Sequence, residues 1–90
     1  MSEKDLSISK QVAVEVAIIV LEKLNKEVDL PSLLALSKKF VVWIAKDGDN
    51  KEVLIQRQAA LRRAAMATNV LSLKTSDEIL NIATEFYKYF

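Results

Sequence analysis

Apolar residues recur at helical spacing along nearly the whole chain. Between residues 7 and 25, Ile8, Val12, Val16 and Ile19 share one stripe with Lys23, and Ala13, Ala17, Val20 and Leu24 share the next. Two adjoining stripes make an apolar face broader than that of a simple surface helix. The β-branched run from Val12 to Val20 would also suit a strand, but the length of the segment and its lack of turn residues decide for a helix. A second helix is expected from Asp29-Leu30-Pro31 to about Lys46, since proline is tolerated in a first turn, where its missing N–H is not needed. The chain then turns at Asp47-Gly48-Asp49-Asn50, where Gly48 can take a left-handed conformation. Asn50 or Asp49 caps a third helix running from Lys51 to about Leu71, with Val53, Leu54, Ala60, Leu61, Ala64 and Ala65 as its apolar positions and Val70 and Leu71 as further candidates. The fourth opens at Thr75-Ser76-Asp77-Glu78 and continues to Phe90. Thr75 and Glu78 have the spacing of a capping box, in which hydroxyl and carboxylate each satisfy a free backbone N–H.

This pattern predicts an all-α fold over residues 1–90, a single helical domain of two tandem αα-hairpins arranged like a bundle. The halves also resemble each other. Lys10-Gln11-Val12-Ala13 aligns with Arg57-Gln58-Ala59-Ala60, and Leu34, Leu36, Phe40 and Val41 align with Leu80, Ile82, Phe86 and Tyr87. An internal repeat at an offset of about 46 is therefore expected, one copy over residues 7–46 and the other over 51–90. A lone hairpin cannot bury its apolar face, whereas two related by a pseudo-two-fold axis cover each other.

Composition agrees with helices. The hydrophobic fraction is 51%, and one Gly and one Pro leave too few turn residues for a β fold. Net charge is +1, but residues 29–74 carry eight basic side chains against four acidic ones, a local +4. That imbalance makes an anionic partner worth considering. Glu3 and Asp5 stand where a secretory signal would place positive charge. Apolar runs such as Val16 to Leu21 fall far short of the roughly 20 residues of a membrane span. A cytoplasmic location is expected.

The available chemistry is narrow. The chain has no His and no Cys, so the commonest general base, the commonest transition-metal ligand and the thiol nucleophile are all missing. Ser37-Lys38 and Ser72-Leu73-Lys74 do not place hydroxyl and amine face to face on a helix. Asp47-Gly48-Asp49-Asn50 lacks the spaced oxygen ligands of a calcium loop, and a single Gly excludes a phosphate-binding loop. No enzymatic activity, cofactor or metal is expected. Two binding surfaces stand out instead. Trp43, Tyr87, Tyr89 and Phe90 end the second and fourth helices and suit a protein interface, because Trp and Tyr bury large area while keeping a polar handle. Val14, Ile18 and Val42 look surplus to the core of a monomer, which is a mark of association. Lys38, Lys39, Arg57, Arg62 and Arg63 offer an alternative, a basic patch for nucleic acid. At about 100° per residue, however, Arg57 and Arg62 lie roughly 140° apart around their helix.

Two segments, IQRQAALRRAAM and TSDEILNIATEFYKYF, resemble parts of small helical proteins of bacteriophages and other mobile elements. The likeness is carried by Arg57, Gln58, Ala60 and Leu61, then by Thr75, Asp77, Glu78, Ile79, Leu80, Ala83, Phe86, Tyr87 and Tyr89. It covers residues 55–90, while the N-terminal half fits only as a diverged copy. The resemblance implies a helical fold and a mobile-element origin, and it brings no activity with it. The function expected is a non-enzymatic interaction module that associates with itself or with a host or element protein.

Overall fold

The computed structural model describes residues 3–48 and 50–90. Four helices follow in order: α1 (Glu3–Lys23), α2 (Leu30–Ile44), α3 (Lys51–Met66) and α4 (Ser76–Tyr89). No strand occurs among the described residues, so the all-α expectation holds. Among them, too, no helix is long and apolar enough to cross a membrane.

Three N-termini are fixed by the side chains that the sequence places there. Asp29 accepts a hydrogen bond from the backbone N–H of Ser32 (3.0 Å), with Pro31 in the first turn. Asn50 accepts from the N–H groups of Glu52 and Val53; Asp49, the alternative cap, lies outside the described residues. Thr75 accepts from the N–H of Glu78, and its hydroxyl donates to the Glu78 carboxylate (3.3 Å). Each cap satisfies donors that the first turn leaves free.

The helix ends depart more from expectation. α3 stops at Met66 rather than near Leu71. The Thr68 hydroxyl donates to the Ala65 carbonyl (2.7 Å), and the Thr68 N–H also turns back to it. A hydroxyl that competes for a helical carbonyl weakens continuation. Ser72 then sits at φ 55°, in the left-handed region. Asn25 does the same after α1 at φ 55°, and Gly48 lies at φ 103° beyond α2. Asparagine and glycine are the residues that tolerate this region best.

α1 and α3 form the central pair, α2 packs on α1, and α4 packs on α3. α1 and α3 run the same way, because Ser9 meets Gln58 and, further along, Glu15 meets Arg62. α2 and α4 also run the same way, with Lys39 against Asp77 and Trp43 against Thr84. Ala13 and Ala17 of α1, and Ala60, Ala64 and Ala65 of α3, are all fully buried, and side chains this small let helix axes come close. The large core residues are Phe40, Ile44, Leu61 and Ile79. The molecule is 34 × 31 × 15 Å. Its thin dimension matches two helices about 8–10 Å apart with backbone radii of about 2.3 Å. A structure two helices thick leaves much of each helix facing outward.

Burial follows the proposed repeat only in part and does not confirm it. Lys10 and Gln11 are exposed, whereas Arg57 and Gln58, their supposed equivalents, are buried. Trp43 is buried, whereas Tyr89, which the offset of 46 sets against it, is 89% exposed. In α1 the buried positions are Ser9, Val12, Ala13, Val16, Ala17 and Val20, and in α3 the same spacing falls on Arg57, Ala60, Leu61, Ala64, Ala65 and then Thr68. That shared spacing is the period of any helix with a wide buried face, so it is not evidence of duplication.

Candidate functional site

The basic residues end up in different places. Arg57 is not on the surface. Its apolar neighbours at helical spacing, Leu54 and Leu61, are core residues, so the same period carries Arg57 inward to 4% exposure. There its guanidinium lies 4.0 Å from the centre of the Trp43 ring and 4.8 Å from that of Tyr87. Nε donates to the Trp43 carbonyl (2.8 Å) and an Nη donates to Asp47 (2.7 Å). That carbonyl belongs to the last turn of α2, a turn with no basic residue of its own. Arg57 thus brings from α3 the cation that the negative end of α2 lacks. It ties α2, α3 and α4 together at one corner, which also includes the indole N–H of Trp43 donating to Thr84 (3.2 Å).

This corner absorbs two residues expected at a protein interface. Trp43 is buried, with both its face and its N–H occupied, and Tyr87 is half-buried against Arg57. Arg57 itself is withdrawn from the expected nucleic-acid surface. Lys39 donates to Ser76 and pairs with Asp77 at 2.6 Å, Arg62 pairs with Glu15 at 3.4 Å, and Arg63 bonds the carbonyl of Ala59 on its own helix. Only Lys38 has no partner among the described residues. The structure therefore does not gather Lys38, Lys39, Arg57, Arg62 and Arg63 into one patch. Tyr89 and Phe90 remain exposed at the end of α4.

A different surface collects the unpartnered groups. Along the outer seam between α1 and α2 run two adjoining hollows. The first, about 480 Å³, is lined by Val14, Leu34 and Val41, with Val42 projecting beside them and Lys10 and Lys38 alongside. The second, about 400 Å³, continues past Ile18, Leu21, Leu33 and Val28 to Glu22, Lys26 and Glu27. Val42 is 71% exposed here, and Leu34 and Ile18 are each more than two-fifths exposed. Val42 and Leu34 stand outward because α2 spends its other face on Phe40, Trp43 and Ile44, and Ile18 does so because α1 spends its own on Val12, Val16 and Val20. The surplus seen at Val14, Ile18 and Val42 in the sequence is thus gathered on one face, while Leu34 and Lys10 join it only in three dimensions. Among the described residues, no group of His, Cys, Asp and Glu is arranged to hold a metal ion, and no buried side-chain nitrogen or oxygen lacks a hydrogen-bond partner. Comparison with protein-family models, with curated proteins and with solved structures finds no match to this chain.

Proposed function

We propose that the protein is a non-enzymatic interaction module that receives a protein surface on the α1/α2 seam. The observation that carries this reading is the pairing of Val42, 71% exposed, with an apolar floor rimmed by Lys10 and Lys38. Apolar area of this kind gains free energy when covered, at about 25 cal/mol per Å², and contiguous apolar patches commonly mark association sites. A chain without His or Cys fits a binding role better than a catalytic one. The likeness of residues 55–90 to phage and mobile-element proteins supports an origin in such an element, with a host or element protein as the natural class of partner.

The test is affinity capture with the tagged chain, with and without nuclease, comparing wild type, Val42→Asp and Val70→Asp. Val70 is 84% exposed but lies in the α3–α4 connection, away from the seam. The expected result is a protein captured by wild type and Val70→Asp in both conditions and lost with Val42→Asp. Capture that is insensitive to Val42→Asp, or that vanishes with nuclease, overturns the reading.

A further inference from the structure

The charge on the α1/α2 seam is divided along its length. Lys10 and Lys38 stand at one end, while Glu22 and Glu27 stand at the other, accompanied by a single Lys26. Asp29 lies just beyond the acidic end, and hydrogen bonds from the Ser32 hydroxyl and backbone N–H hold its carboxyl below the usual carboxylate range. At about 1.5 Å per residue, Lys10 and Glu22 are about 18 Å apart along α1. Between them the floor is apolar, with Val14 and Ile18 from α1 and Leu33 and Leu34 from α2.

Such a surface is complementary to itself. Rotating a copy by a half-turn about an axis through the middle of the seam sets each basic end on the other's acidic end and apolar floor on apolar floor. It also brings Val42, standing proud at the basic end, over the hollow beside Leu21 and Val28 of the other copy. Closed two-fold pairs use one patch twice in this way, and they are the commonest soluble oligomers. A seam of one sign throughout would repel its own copy. We infer that the protein forms a two-fold symmetric dimer through the α1/α2 seam, with Lys10 and Lys38 of each protomer facing Glu22 and Glu27 of its partner. This rests on the reading of the seam as an interaction surface and names a second copy of the chain as its occupant.

The test is sedimentation of the full chain over the micromolar range, with helicity checked by circular dichroism. One variant carries Lys10→Glu and Lys38→Glu, the other Glu22→Lys and Glu27→Lys. Each variant alone sets like charges together at both ends of the seam and is expected to dimerise about tenfold more weakly or worse. Mixed in equal amounts, the two variants present opposite charges at both ends and are expected to recover the dimer. A wild type that stays monomeric overturns the dimer, as does a dimer that both variants retain. If the wild type is monomeric while Val42→Asp still abolishes capture of another protein, the dimer falls and the interaction reading stands.

Discussion

Two regions of this small fold treat their side chains in opposite ways. At the Arg57 corner a charge is drawn inside and every direction around it is used: two aromatic faces, a helix carbonyl and a carboxylate. On the α1/α2 seam apolar groups are left outside, and two lysines stand beside them without acidic partners among the described residues. The contrast shows that residue type alone is a poor guide to role here. The arginine and the tryptophan, the types most often found as binding anchors, serve the architecture. The plain aliphatic residues Val42 and Leu34 are what the fold leaves open.

The corner breaks first. Arg57→Ala removes the buried guanidinium, its bond to the end of α2 and its two ring contacts, and is expected to cost about 3 kcal/mol in urea unfolding. Arg57→Lys is expected to recover only part of this, because an ammonium lacks the planar fork that serves Trp43 and Asp47 together. Equal stability of Arg57→Ala and wild type would remove the corner from the account of the fold. Next comes the central helix pair. Ala17→Leu forces extra volume between α1 and its neighbours and is expected to cost about 1–3 kcal/mol, read as a lower midpoint in the same experiment.

Smaller effects sharpen the contrast. Asp29→Ala removes the cap of α2 and is expected to lower the urea midpoint by less than either change above. The Asp29 carboxyl titrates below its ordinary value of 3.8 because Ser32 donates to its charged form. Its contribution is therefore fully present above that value and is lost as pH falls through the lowered one. An acid titration followed by amide signals of residues 30–33 should show the first turn of α2 loosening there. At the seam, Val42→Asp is expected to cost no more than about 1 kcal/mol, since the side chain is already in water and the new charge only opposes the negative end of α2. A large loss would mean that Val42 belongs to the core after all.

Much of the fold was legible in the sequence because caps and helical period are local signals. Asp29, Asn50 and Thr75 each accept first-turn N–H groups as their types and spacings announce, although the Glu78 carboxylate, expected to take a backbone N–H, accepts from the Thr75 hydroxyl. The end of α3 was not legible, since Val70 and Leu71 continue the apolar pattern and only the turn at Thr68 and Ser72 stops the helix. The burial of Arg57 was half visible: its 140° separation from Arg62 already put the two on different sides of α3. What stayed hidden was that Trp43 and Asp47, from the preceding helix and turn, would arrive to receive it. The seam was visible as an apolar surplus, but Lys10 and Lys38 come from different helices, and only their antiparallel packing places both at one rim.

On the proposed reading the seam, and not other exposed apolar surface, meets another protein. Its most direct test is a photo-crosslinking residue placed in living cells at position 42 and, separately, at position 70. The expected result is a discrete protein adduct from position 42, at twice the chain mass if the occupant is a second copy, and none from position 70. No adduct from position 42, or equal yields from the two, would contradict it.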